Sequence, residues 1–362
     1  IKWRKVIFYR FGYIEIYRGG KMGVEDSNLD FNKIEKILEE QYNIIPLDIL
    51  PINRGTSNLF EIVTGKDKYI LKEFTSKRKE ETIIKEINII NFLHDRKVKV
   101  PVYVKTIEDK YFTKNEGRII IVQEFIEGHT IEDNTSDYNQ VIQCAGILGK
   151  LVRELMNYPE LSEENVIEEY FSLNRLQKGI EKMQTLITKM DKSNIYQKQI
   201  VEDLKFKIEI SEKFVKKFDF DIVDKLTKLN SHGDYCTQQL IYGNNGEVTI
   251  IDFEKARKLP IVWEVMRSFC YCDKEIANGN LNIETLGDYF KEFSKYISLN
   301  EYDLKYAADL YLLQLISSAF GYEEYYNNSK QIDLLNFAFF RTNLCKIIYK
   351  NLKPIRNKLI LL

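Results

Sequence analysis

Three β-rich runs punctuated by two turn signals, then one amphipathic helix and two more β-rich runs, constrain this chain most tightly. The first runs are Leu47 to Asn53, Leu59 to Thr64 and Lys68 to Phe74, broken by Arg54-Gly55-Thr56-Ser57-Asn58 and by Gly65-Lys66-Asp67. Such breaks between β-branched and aromatic runs predict an antiparallel meander. Ahead of it, Phe31, Ile34, Ile37 and Leu38 recur at helical spacing from Asp30 to Tyr42, with Pro46 just beyond. Behind it, Ile83, Ile87, Ile90 and Leu93 stripe a helix over 77–95, and Val100 to Ile107 and Arg118 to Phe125 return to strand composition. Strand, strand, strand, helix, strand, strand is unlike a doubly wound parallel sheet, in which strands and helices alternate.

After Gly128 the pattern is mainly helical. Leu176, Ile180, Met183, Ile187 and Met190 step alternately by four and three, a stripe too short for a coiled coil, which predicts a helix packed on its own domain rather than a dimer seam. Strand patterns are read again only at Gln238 to Tyr242 and Val248 to Phe253, around the turn Gly243-Asn244-Asn245-Gly246, and helices resume from Trp263. The expectation is an α+β chain with a β-rich N-lobe over 22–126 and a helical C-lobe over 127–362. At 362 residues two lobes are the natural division, because single cores stop growing near this size.

Composition narrows the class of partner. The chain is 44% hydrophobic and 30% charged with a net charge of -1, which fits a globular protein and argues against a nucleic-acid binder. Five cysteines without a CxxC pair and only three histidines favour neither a disulfide framework nor a zinc site. Cys270 and Cys272 read as buried thiols, and a reducing, cytoplasmic compartment is expected. There is no apolar run of about 18 residues, so no membrane span is expected.

Residues 1–21 carry six basic side chains against one acidic and begin without Met. Arg18-Gly19-Gly20-Lys21-Met22 reads back as a purine-rich stretch before a start codon, which makes 1–21 a non-native extension and Met22 the start. The other reading is a β-hairpin over Val6 to Tyr17, with Gly12 near its centre.

Chemistry concentrates in segment 231–254, where Asp234 precedes one strand, Gln239 follows five residues later and Asp252 ends the returning strand. A hairpin brings these groups to one end. Phosphoryl transfer needs that set: one carboxylate for the nucleophile's proton, other oxygens for a Mg²⁺ ion on the nucleotide phosphates. The plainer alternative is that both aspartates cap turns.

His232-Gly233-Asp234-Tyr235-Cys236-Thr237-Gln238-Gln239, with Ile250-Ile251-Asp252-Phe253-Glu254, resembles the aminoglycoside phosphotransferase and choline kinase superfamily over roughly residues 40 to 275. The resemblance implies a protein-kinase-like fold and ATP with Mg²⁺ as cofactors, GTP not being excluded. It implies Asp234 as catalytic base, Asp252 as the principal metal ligand and Gln239 as a second one, although the family pattern has Asn at that position. His232 is expected to brace the loop, with Glu254 and Glu264 supporting the site. Pro260 and Glu264 fall where relatives commonly carry a Pro and a bracing Asp, and Arg267 is expected to pair with Glu264 as a surface i,i+3 pair.

In the N-lobe a kinase-like site needs a phosphate lysine and a carboxylate to position it, roles that Lys72 and Glu86 fit. Gly55, Thr56 and Ser57 fit the phosphate-covering turn, where glycine lets backbone amides approach an anion. Gln123-Glu124-Phe125-Ile126 resembles the hinge, so Glu124 and Ile126 are expected at the adenine. The acceptor is a small molecule, an aminoglycoside or other amino-alcohol, for which Glu323-Glu324-Tyr325-Tyr326 offers carboxylates and aromatic faces; an ordinary helix surface is the alternative. A different class stays open: a nucleotide-binding relative resembling the spore-coat CotS group, located there and catalytically weak. A protein kinase ranks behind both, since the sequence has HGD rather than HRD.

Overall fold

The computed structural model describes residues 25–52, 57–161, 166–191 and 193–362. Both readings of residues 1–21, and Gly55 and Thr56, lie outside them. The meander forms as its punctuation requires: β1 (Asp48–Ile52), β2 (Asn58–Val63) and β3 (Lys68–Glu73) pair antiparallel in order. β3 then pairs with β5 (Arg118–Glu124), whose far edge carries β4 (Thr113–Asn115). Residues 100–107, expected as a strand, form none. Pro101 has no N–H to give a ladder, and only a short stretch lies along β5. There Val104 N–H donates to Val122 O and Glu124 N–H to Val102 O, around an isolated bridge between Tyr103 and Gln123.

Two helices cover this sheet. α1 (Phe31–Tyr42) begins where the Asp30 carboxylate accepts from Lys33 N–H and ends at Asn43 in the left-handed region, φ 54°. Its Ile34 and Leu38 pack with Ile62, Leu71, Ile120 and Val122. α2 (Glu80–Asp95) buries the predicted stripe Ile83, Ile87, Ile90 and Leu93 with Ile119 and Ile121. Successive residues of a strand face opposite ways, so the alternation along β5 puts α1 and α2 on opposite faces.

The rest is helical: α3 (Tyr138–Leu155), α4 (Val166–Phe171), α5 (Leu173–Lys189), α6 (Ile195–Val215) and α7 (Ile222–Lys225), then α8 (Ile261–Cys272), α9 (Ile283–Ser294), α10 (Glu301–Ile316), α11 (Tyr322–Asn327) and α12 (Ile332–Leu359). The predicted stripe packs within the chain: Met183 and, just past α5, Met190 meet Ile200, Leu204, Tyr322 and Leu335, with Leu186 beside them.

Between α7 and α8 four short strands stand where two were expected. β6 (Lys228–Ser231) pairs with β9 (Arg257–Pro260), bracketing the predicted hairpin of β7 (Leu240–Tyr242) and β8 (Val248–Ile250). The outer pair has no apolar alternation to read, and neighbouring chain fixes it instead. The Asn230 amide donates to Leu155 O and Pro159 O and accepts from Leu161 N–H. All five cysteines are buried and unbridged. Among the described residues no helix is long and apolar enough to cross a membrane.

Candidate active site

Ser231-His232-Gly233-Asp234 runs off β6 toward a tight turn at Thr237–Gln239 that enters β7. Gly233 has φ 81°, and a Cβ there would sit 1.9 Å from the Lys255 carbonyl oxygen. Only glycine allows that approach. Glu264, fully buried on α8, holds the loop: it accepts from the Ser231 hydroxyl, from His232 N–H at 3.1 Å and from Tyr235 N–H at 3.2 Å. Burial raises its pKa, and the donors offset this only in part. His232 is wholly buried, with Nε2 2.9 Å from Ile251 O and its ring 4.7 Å from Phe253, geometry that suits the expected bracing part.

Asp252 follows β8 in the left-handed region, φ 66°, which Asp tolerates better than most residues. Its Oδ1 is buried without a hydrogen-bond partner among the described residues, and an orphaned carboxylate oxygen calls for a cation. Gln239 is tied to this point through its carbonyl, which accepts from Ile251 N–H at 3.0 Å. Among the described residues no group of three or more His, Cys, Asp or Glu could hold a metal. The Asp252 carboxylate alone is a donor set that suits Mg²⁺, an ion that keeps waters and takes phosphate oxygens.

The sheet brings a cation to the same place. Burial works against the Lys72 charge, but Glu86, Asp252 and Glu254 outweigh it and hold its pKa above the ordinary lysine value. Glu86 is 3% exposed; it accepts from the Tyr103 hydroxyl at 3.1 Å and lies 3.8 Å from Arg78 Nη2. Burial raises its pKa, and Lys72 pulls it back. Arg78 also ion-pairs with Glu254, so one guanidinium spans α2 and the turn after β8. Sequence reasoning passed over Arg78, whose signal was slight among the bases of Lys77-Arg78-Lys79.

Ser57, just before β2, is buried. In the segment expected as the hinge, Glu124 N–H is committed to Val102 O at 3.0 Å and its carboxylate accepts from Val102 N–H at 3.0 Å. Phe125 N–H donates to Lys68 O at 3.1 Å, whereas Ile126 N–H makes no backbone hydrogen bond among the described residues.

The expectation for Arg267 needs correction, while 323–326 follows its plainer reading, a helix surface with a buried Tyr. Arg267 does not pair with Glu264: it ion-pairs with Asp234, donates to Tyr235 O at 3.1 Å and lies 4.6 Å from the Tyr271 ring centre. Glu264 is buried and occupied by the loop, so the surface pair has no surface to form on. Nor does 323–326 face Asp234. Glu323 pairs with Lys182 at 2.5 Å, Glu324 accepts from Gly321 N–H at 2.6 Å, and Tyr325 is buried among α5, α6 and α12. The space beside Asp234 is instead a cavity of about 380 Å³ whose lining includes Tyr170, Trp263, Arg267, Tyr271 and Arg341.

An antiparallel five-stranded sheet joined to a helical body that carries this hairpin defines the two-lobed, protein-kinase-like class of fold. The model of the phosphotransferase enzyme family matches residues 48–281, and the chain belongs to that family. Among solved structures, it is similar to an aminoglycoside phosphotransferase from Alicyclobacillus acidocaldarius, at 14% identity and TM-score 0.66, over 93% of this chain and 98% of that one. A spectinomycin phosphotransferase in complex with ADP and spectinomycin shares 17% identity at TM-score 0.63, over 89% and 98%. A choline kinase from Cryptosporidium parvum shares 15% at TM-score 0.59, over 91% and 99%. No curated protein sequence matches significantly.

Proposed function

We propose that this phosphotransferase moves the terminal phosphoryl group of ATP to a hydroxyl of a small molecule, between a lobe spanning 22–126 and one spanning 127–362. The observation that carries this reading is convergence: Lys72 from the sheet and Asp252 from the hairpin interact electrostatically, although 180 residues separate them in sequence. Asp234, with 40% of its side chain exposed, orients the acceptor hydroxyl and takes its proton as the new O–P bond forms. Lys72 neutralises phosphate oxygens, and Glu86 keeps its ammonium in place. Asp252 and Gln239 would hold Mg²⁺, which supplies charge neutralisation on the phosphates. Ser57 lies at the turn that covers the phosphates, and Ile126 with Glu124 meets the adenine. The unbridged thiols support a reducing, cytoplasmic setting. The resemblance suggests amino-alcohol or aminoglycoside acceptors, and because one similar structure holds GDP, GTP is the second donor to try.

A second reading, a nucleotide-binding protein with little turnover, draws on the Arg267–Asp234 ion pair and on Gln239. The two are separated by ADP release measured over amino-alcohols, aminoglycosides, sugars and hydroxy acids. Asp234→Asn is expected to lose about 10² to 10⁴-fold in rate while still binding nucleotide. Nucleotide binding with no acceptor-dependent turnover across the whole set would favour the second reading.

A further inference from the structure

We propose that the cavity beside Asp234 takes an acceptor bearing an anionic group, a carboxylate or a phosphate, on an aromatic or other apolar body, and that Arg341 binds the anion. The inference rests on the phosphotransfer reading only in naming the occupant as the acceptor.

The charge of the lining carries it. Lys255, Arg257, Arg267 and Arg341 face the cavity against one carboxylate, Asp234. Arg267 is spent on Asp234, Lys255 pairs with Glu254 at 3.1 Å, and Arg257 donates to Lys255 O and lies over the Tyr170 ring. Arg341 differs. Only 8% of it is exposed, its Nη2 donates to Gln314 Oε1 at 3.1 Å, and its guanidinium lies 5.6 Å from the Phe337 ring centre. Among the described residues no carboxylate lies within 4.0 Å of it.

Two further cations, Lys207 and Arg175, stand close enough to feel its charge, alongside the carboxylates Asp203 and Glu169. Burial, followed by the Arg341 charge, pushes the Lys207 ammonium down to about 8. Burial also lowers the Arg175 pKa, with Arg341 among the further causes. Glu168 and Glu169 line an adjoining groove together with Arg175 and Lys178. A buried guanidinium among like charges is costly unless an anion shares its site, and a polycation entering this cavity would add to the repulsion. Trp263, Tyr271 and Phe320 on the same walls supply apolar faces for the body of such a molecule, and a guanidinium fork matches carboxylate and phosphate alike.

The test uses benzyl alcohols that differ only at the para position: carboxylate, phosphonate, carboxamide and aminomethyl. Binding to the intact protein is followed by calorimetry and thermal shift. One or both anionic compounds are expected to bind at least about tenfold tighter than the amide and the amine, the better of them telling carboxylate from phosphate. Arg341→Gln is expected to erase the preference and Arg341→Lys to keep part of it. If Arg341→Gln does not fold, the ranking in the unsubstituted protein decides alone. Equal or tighter binding of the amine, or no binding by any of the four, overturns the proposal. Mg²⁺-ATP binding measured on the same samples keeps the two ideas apart: ATP binding without an anion preference sinks the anion site, whereas an anion preference without ATP binding sinks the phosphotransfer reading.

Discussion

Lys207 sits 1% exposed in the helical body, with its ammonium donating to Ser318 O at 2.9 Å. Its folded pKa near 8 lies below the ordinary 10.5, so between those values the native chain binds fewer protons than the unfolded one and stability rises with pH. Below pH 8 both states hold the proton and the penalty is full. Lys207→Met removes the group, so its stability relative to the parent is expected to be greatest below pH 8 and to fall by about 3 kcal/mol by pH 10.5. Denaturant titrations at pH 7, 9 and 10.5 check this, and a pH-independent difference would refute it. The places of single residues were legible in the sequence where a local motif fixes them: Lys72 stands on a predicted strand, and Asp234 and Asp252 flank the predicted hairpin. Arg78, Arg267 and Arg341 were missed or misassigned because their partners lie far along the chain, and an arginine on a helix looks the same whether it meets water, a carboxylate or a cavity.

At the scale of elements, the loop 231–235 is shaped from outside itself. Three donors from residues 231–235 converge on one Glu264 carboxylate, while the loop passes under the Lys255 carbonyl. Gly233→Ala would place a methyl group inside that contact and force a left-handed alanine, at a cost of about 1–3 kcal/mol. It is expected to lower the unfolding midpoint and to reduce acceptor turnover more than nucleotide binding; an unchanged midpoint with full turnover would show that the loop can move aside. The same outside control explains what could be read beforehand. α1, α2 and α5 announced themselves because their own apolar stripes face a core. β6 and β9 did not, since Lys228-Leu229-Asn230-Ser231 is held by Asn230 bonds to another segment, and residues 102–104 follow β5 without enough ladder to form a strand.

Across the whole molecule, Arg78 is one contact that ties α2 to the segment after β8, between Glu86 and Glu254, and Lys85 Nζ adds a second by donating to Ala256 O at 3.0 Å. Arg78→Met leaves Glu86 buried with the Tyr103 hydroxyl and loses the bridge to Glu254. The expected outcome is weaker Mg²⁺-ATP binding, by about tenfold, an effect of the size of one partly buried charge pair, with little change for acceptor binding. Calorimetry with each ligand separately checks the split, and equal weakening of both would point to a general loss of structure. The two-lobed plan itself was legible, because the change from strand to helical periodicity spans the whole chain. The Gly128 crossing was not legible as a constraint. A Cβ there would lie 2.5 Å from the Tyr242 carbonyl oxygen, and His129 bridges to Tyr242. The chain is thus riveted to the β7 end as soon as it leaves the sheet. Sheet and helical body are therefore joined twice: along the chain through residues 125–127, and through α2, whose apolar face shares one core with α3. Asp234 and Asp252 thus belong to one short stretch of chain, whereas Lys72 is held against Asp252 only by the packing of sheet and α2 on the helical body.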